Sequence, residues 1–322
     1  MKNKVFVISG PTASGKTLLA TELAKVANGV VANADSCQMY DGLPILSAQP
    51  TAEEMGSIGH RLYGILEPNE QNTVHRWLEL MEEEGKNIFN AGKNIVAVGG
   101  SGMYISRLLG GIADIPNTDP NVRREAIELY NKIGGEEFHK MVKKIDPEET
   151  ERISKNDSRR LIKIYEIYRL CDKKASDLKN GKNKKIFSDG QFFHINILPN
   201  REDVYGRCGE RFMNMIGGGV LEEVENFVED NQKLLDDGGH YPICDTIAFL
   251  EIWDFLRGKI TREEMADLSI RKTKNYAKRQ YTWFRNQFKK VDFLIEIIPN
   301  RDNCWALARD IVNKAEKKDE WL

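Results

Sequence analysis

The sequence predicts an α/β fold: a parallel sheet core flanked by helices, with an all-helical insertion domain. Three observations predict it. Short apolar runs alternate with helical patterns through the first hundred residues. A charged helical stretch without a clear strand follows, from Asn117 to about Lys184. A strand-like run, Phe192 to Leu198, then returns the chain to the sheet. Alternation of this kind implies parallel strands joined by right-handed crossovers. Residues 1–115 and 190–322 are therefore expected to form the core with its C-terminal helices, and residues 116–189 the insertion.

The core elements follow in order. Val5–Ser9, Gly29–Asn33 and Asn94–Val98 read as strands, and Lys16–Ala27 has apolar positions at helical spacing. In the insertion, Asp119-Pro120 and Asp146-Pro147 are helix starts with Pro in the first turn, and Gly134-Gly135 breaks the pattern. Gly181–Lys185 reads as a polar loop. Beyond Pro199, Glu202–Val228 is a helical pattern interrupted by Gly217-Gly218-Gly219. Asp245–Leu256 and Thr261–Phe288 read as helices, Val291–Ile298 as a last strand, and a helix closes the chain.

Length and composition set limits. The 322 residues suffice for one large or two modest domains, and 41% hydrophobic with 30% charged residues suits a folded, soluble chain. No apolar run reaches the roughly 18 residues of a membrane span, so no membrane partner and a cytoplasmic location are expected. Five scattered cysteines without a CxxC pair argue against structural zinc and for reduced thiols. The five histidines show no ligand spacing and no triad partner. Net charge is −2, yet Arg271 to Lys290 holds eight Lys or Arg and no acid. Such a run is either a solvated helix face or a local phosphate-binding face.

Gly10-Pro11-Thr12-Ala13-Ser14-Gly15-Lys16-Thr17 fits G-x-x-x-x-G-K-[ST], directly after a strand and before a helix. Small residues let backbone N–H groups wrap phosphate oxygens, and the helix N-terminus adds positive potential. Lys16 supplies a point charge, and Thr17 can reach a magnesium ion. The core is therefore a P-loop sheet binding a di- or triphosphate. The Asn94 strand ends in Val98-Gly99-Gly100-Ser101, without the magnesium-binding Asp of common kinases and ATPases. The second strand ends instead in Asp35-Ser36-Cys37-Gln38. Ligands of open parallel sheets bind at the carboxyl ends of strands, so Asp35 falls on the edge that carries the phosphate loop. It is either a base there or a helix cap.

Five motifs in order, GPTASGKT, DSCQMY, GGSGMY, NDSRR and YAKRQYTWFR, resemble the tRNA dimethylallyltransferase (tRNA isopentenyltransferase) family of bacterial type. The resemblance spans Val5 to about Phe288. It implies transfer of a dimethylallyl group from dimethylallyl diphosphate to the exocyclic N6 amine of the adenine just 3′ of the anticodon, with Mg2+ at the phosphate loop. It implies that Asp35 is the general base. Gly10 to Thr17 would hold the diphosphate, with Thr12 and Lys16 taking part in catalysis. Arg207 and Arg211 resemble the family's Y-x-R-x-x-x-R, whose arginines help hold the diphosphate. Which of the two does so here stays open. It further implies tRNA contact by Asp35, Ser36, Cys37, Gln38, Ser101, Arg123 and by Asn156, Asp157, Ser158, Arg159 and Arg160. Lys278 and Arg279, interleaved with Tyr276, Tyr281, Trp283 and Phe284, suit an RNA loop. The tRNA anticodon stem-loop is the expected partner, and a monomer the expected state. The chain departs from the family's I-G-Y-[KR]-E, reading Ile247-Ala248-Phe249-Leu250-Glu251. An adenine-nucleotide (AMP, ADP or ATP) isopentenyltransferase is the alternative; a small-molecule P-loop kinase is more remote.

Overall fold

In the computed structural model, which describes residues 3–113, 119–180, 183–232 and 241–319, six parallel strands form one sheet in the order β3-β2-β4-β1-β5-β6. They are β1 (Lys4–Ser9), β2 (Gly29–Asn33), β3 (His60–Arg61), β4 (Asn94–Gly99), β5 (Gln191–Ile197) and β6 (Phe293–Ile295). Two-residue β3 carries no sequence periodicity and was not expected. The last strand keeps only three of the eight residues read for it.

The first unit comprises Met1–Leu109 and Phe187–Leu322. Its helices are α1 (Lys16–Val26), α2 (Ala52–Met55), α3 (Val74–Asn90) and α4 (Gly102–Gly110), then α9 (Arg201–Gly217), α10 (Val220–Asp230), α11 (Phe249–Leu256), α12 (Arg262–Gln287) and α13 (Cys304–Asp319). The central strands are buried on both faces, as parallel strands covered by helices must be. One face packs Phe6, Ile8, Val96 and Phe193 against Leu19 and Leu23 of α1 and Ala308 and Ile311 of α13. On the other side Trp77 of α3, fully buried, donates its indole N–H to the Asn33 carbonyl at 2.9 Å. Helix α11 starts at Phe249 rather than at the expected Asp245. Residues 242–245 form a short 3-10 turn instead, and Ala248 takes a left-handed φ of 78°. That conformation suits the glycine of the family pattern and strains an alanine.

The second unit, Gly110–Ile186, holds α5 (Pro120–Ile145), α6 (Pro147–Thr150), α7 (Ser158–Cys171) and α8 (Ala175–Asn180). Asp119 caps α5 by accepting from Asn121 N–H, and Gly134 (φ 79°) kinks it. Phe138, Val142, Leu161 and Ile167 centre its own core. Its ends meet where Ile112 pairs with Lys184. The expected junction at 115–116, Gly181 of the polar loop and His240 lie outside the described residues. Among the described residues no helix is long and apolar enough to cross a membrane.

Candidate active site

The phosphate loop joins central strand β1 to α1. Gly10 (φ 154°) and Gly15 (φ 85°) take conformations and spaces closed to other residues. A Cβ would lie 2.5 Å from the Ile197 carbonyl at Gly10 and 2.7 Å from the Pro299 carbonyl at Gly15. Ala13 is also left-handed, at φ 62°, a conformation that recurs in the backbone nests that bind anions. Lys16 Nζ donates to the Pro11 carbonyl at 2.6 Å. Burial lowers its pKa to about 8; Asp35 pulls it up, Arg211 pushes it further down, and Cys208 raises it. The Ser14 side chain is 1% exposed, and its Oγ has no partner among the described residues. A buried hydroxyl left unpaired costs stability and fits a loop built for an oxygen-rich anion. Thr17, half-buried at the first turn of α1, offers a hard oxygen of the kind magnesium takes. Among the described residues no cluster of three or more His, Cys, Asp or Glu could hold a metal, so such an ion would take most of its ligands from phosphate and water.

Asp35 follows β2, and the Asn33 side chain orders the turn by accepting from Asp35 N–H at 2.8 Å. Asp35 Oδ1 accepts from Cys37 N–H at 3.1 Å, so the carboxylate caps a 3-10 turn over Cys37–Met39. Its second oxygen, Oδ2, would lie 3.2 Å from a Cβ on Gly100. Asp35 is therefore both a cap and a half-buried charge acting on Lys16 and Arg211. Burial and Asp35 push the Cys37 thiol up to about 12, which leaves it a neutral, unreactive thiol. The hydroxyls of Tyr63 and Tyr276 are likewise pushed up, by burial first and Asp35 second.

The neighbouring polar residues are more committed than the sequence suggested. Ser101 Oγ accepts from Ser36 N–H at 2.9 Å and contacts Ser36 Oγ at 3.3 Å. The Gln38 amide donates to the Ser47 and Ala48 carbonyls. On α9, Arg207 and Arg211 differ in burial. Arg207 is exposed. Arg211 is half-buried, and desolvation lowers its pKa while Cys208 and Asp35 raise it. Cys208 of α9 packs beside Ala13 of the loop.

Helix α12 buries Thr273, Ala277, Gln280 and Phe284 and exposes Lys278 and Arg279. Tyr276, Tyr281 and Trp283 are half-buried, and only Phe284 is core. A surface groove of about 620 Å³ runs past Tyr205, Arg271, Lys274 and Lys278. Gln280 is a site residue the sequence did not reveal. Its Oε1 accepts from Thr12 N–H at 2.8 Å, and its Nε2 donates to the Gly100 carbonyl at 2.8 Å.

Arg123 and residues 156–160 lie in the helical unit. Arg123 pairs with Glu166, whose side chain is 0% exposed, at 3.1 Å. Asp157 caps α7 through Arg160 N–H; Ser158 is half-buried, and Asn156, Arg159 and Arg160 are exposed.

The family model of IPP transferases matches residues 38–287. The tRNA dimethylallyltransferase of Ehrlichia ruminantium (strain Welgevonden) is 35% identical over 90% of this chain and 94% of its own. The crystal structure of the full-length tRNA isopentenylpyrophosphate transferase from Bacillus halodurans is 31% identical, covers 99% of both chains and superposes with a TM-score of 0.67. A eukaryotic dimethylallyltransferase acting on tRNA, at 24% identity and a TM-score of 0.82 over 98% of this chain and 80% of that one, shares the fold. The phosphate loop precedes the matched segment, but that segment is most of the chain and the relatives align over nine-tenths of it: the chain belongs to the IPP transferase family.

Proposed function

We propose that this enzyme transfers a dimethylallyl group from dimethylallyl diphosphate to the N6 amine of the adenine 3′-adjacent to the anticodon in tRNA. The observation that supports the reading is the placement of Asp35, which follows β2 while the phosphate loop follows β1 of the same parallel sheet, so that both fall on its carboxyl edge. A base for the amine and a cradle for the leaving diphosphate thus share one sheet edge.

The adenine amine is a weak nucleophile, because its lone pair is delocalised into the ring. As its nitrogen bonds to the allylic carbon, the carbon–oxygen bond to diphosphate breaks and its electron pair leaves on oxygen. The amine proton passes to Asp35. Lys16, Arg211 and the backbone N–H groups at the start of α1, Gly15 to Thr17, oppose the charge growing on the diphosphate. Thr12 of the loop and the exposed Arg207 of α9 complete the candidate set. Mg2+ held through the Thr17 hydroxyl and the diphosphate would supply further positive charge there. The adenine must leave its stack, at a cost of a few kcal/mol in an anticodon loop. Lys278 and Arg279 of α12 and the Asn156–Arg160 turn with Arg123 supply cations suited to the anticodon stem-loop. The enzyme acts as a monomer in the cytoplasm.

The test is mass spectrometry of tRNA, AMP and a panel of small alcohols after incubation with dimethylallyl diphosphate or ATP. A dimethylallyl gain on the adenine beside the anticodon is expected. Gain on AMP alone, or phosphate transfer from ATP, would refute the reading. Asp35→Asn should lower the single-turnover rate by about 10²–10⁴-fold, with tRNA affinity kept; a normal rate would remove the base.

A further inference from the structure

Gln280 sits on the buried face of α12, 6% exposed, within a segment otherwise dominated by cations and aromatics. Its carboxamide is engaged at both ends, and each partner fixes which end it meets. Thr12 N–H can only donate, so the atom facing it at 2.8 Å is the oxygen. The Gly100 carbonyl can only accept, so the atom facing it at 2.8 Å is the nitrogen. Thr12 follows β1 and Gly100 follows β4, neighbouring strands of the sheet. Asp35 follows β2, the next neighbour of β4. Gly100 is the meeting point: a Cβ there would lie 2.4 Å from Gln280 Nε2 and 3.2 Å from Asp35 Oδ2.

One side chain therefore ties the phosphate loop to the turn that abuts the Asp35 carboxylate. It also anchors both to the helix that exposes Lys278 and Arg279. A neutral amide is required for this. Glu offers no donor to the Gly100 carbonyl, and a cation offers no acceptor to Thr12 N–H. Asn has the right groups one methylene short.

We infer that Gln280 is a positioning residue, whose two hydrogen bonds set the distance between the phosphate loop and the Asp35 carboxylate and so align the reacting groups without binding either substrate. The inference rests on the function proposed above. A displacement on the order of 1 Å between reacting groups costs about 10²-fold in rate. Substrate affinity, held by other groups, has no reason to change with it.

The experiment is single-turnover transfer at saturating tRNA and dimethylallyl diphosphate, with separate binding measurements for each, on wild type, Gln280→Ala, Gln280→Glu, Gly100→Ala and the Gly100→Ala/Gln280→Ala pair. Each variant is first checked for cooperative melting above the assay temperature. Gln280→Ala and Gln280→Glu should lose about 100-fold in rate, with both dissociation constants within about threefold. Gly100→Ala should lose a similar factor, because its methyl displaces the carboxamide. In the Gln280→Ala background the 2.4 Å clash is gone and only the 3.2 Å approach to Asp35 Oδ2 is left, so it should cost clearly less than in wild type, a non-additivity a general loss of stability would not produce. Rates within threefold of wild type, losses confined to KM, or multiplicative effects would overturn the inference alone. An inactive wild-type protein would overturn the proposed function and this inference together. Should Gln280→Ala fail to fold, Gln280→Glu carries the test by itself, since it keeps the size of the side chain and its acceptor for Thr12 N–H and removes only the donor to the Gly100 carbonyl.

Discussion

Acid should loosen the sheet directly beneath the phosphate loop, and the group responsible is His194. Its ring lies on β5, 5% exposed, with Nε2 2.7 Å from Ser9 Oγ and an edge-on contact to Phe288. Ser9, the last residue of β1, also donates to Asn196 Oδ1 at 3.1 Å. The trio resembles a nucleophile and its base, but Ser9 is 0% exposed and reaches no substrate. Burial lowers the His194 pKa from 6.5 to about 4, the Asp292 carboxylate only partly opposing it. A histidine depressed in the folded state binds its proton more readily when unfolded. Its neutral form therefore contributes stability that is intact above pH 6.5 and lost as pH falls toward 4. Linkage between those two values gives a loss of about 2 kcal/mol at pH 5 and about 3 kcal/mol at pH 4. Many carboxylates titrate in the same range, so the comparison must be made against His194→Gln, which cannot titrate. Urea unfolding of both proteins at pH 7, 6, 5 and 4.5 measures the gap between them. The gap should change by about 2 kcal/mol from pH 7 to pH 5, in the direction that penalises the histidine at low pH. A gap constant across that range would refute the argument.

Three further outcomes follow from the site and the helical unit. Arg211→Ala should raise the requirement for dimethylallyl diphosphate by roughly ten- to a hundredfold, the worth of one charge-assisted contact, and Arg207→Ala by much less; equal effects in steady-state kinetics would mean the cradle is wider than drawn. Arg123→Ala should destabilise the helical unit by about 1–2 kcal/mol in thermal or urea unfolding. That is less than a fully buried pair would lose, because the Arg123 side chain is 52% exposed and Lys163 stays 3.5 Å from Glu166; an unchanged midpoint would show that Lys163 alone neutralises Glu166. Changing Lys278 and Arg279 together to Gln should weaken tRNA binding and reduce the slope of log affinity against log salt by about 2. An unchanged slope would leave that face merely solvated.

What could be read in the sequence was what is local. The phosphate loop is legible because strand, small residues, lysine and helix sit within a dozen positions, and their spacing is the mechanism. Asp35 needed one further rule, that ligands of parallel sheets bind at the strand ends, and β2 obeys it. The arginines could not be separated, since each stands one residue before a buried position of α9, Cys208 and Phe212. Helical periodicity treats them alike; only the folded chain shows that Arg211 is half-buried and Arg207 exposed. Gln38 was legible only as a residue type, because donors suited to a base edge also suit the Ser47 and Ala48 carbonyls that its amide meets. Gln280 stands furthest beyond reach, 268 positions from the amide it holds, in a helix whose charge invites an RNA reading of every polar residue. Yet its chemistry sets it apart from its neighbours. A lysine or arginine there would leave Thr12 N–H without an acceptor, in the loop that must stay ordered. The one neutral amide on the buried stripe of that basic helix is thus the residue joining it to the phosphate loop, and it is the helix's inner face, not its exposed cations, that makes the connection.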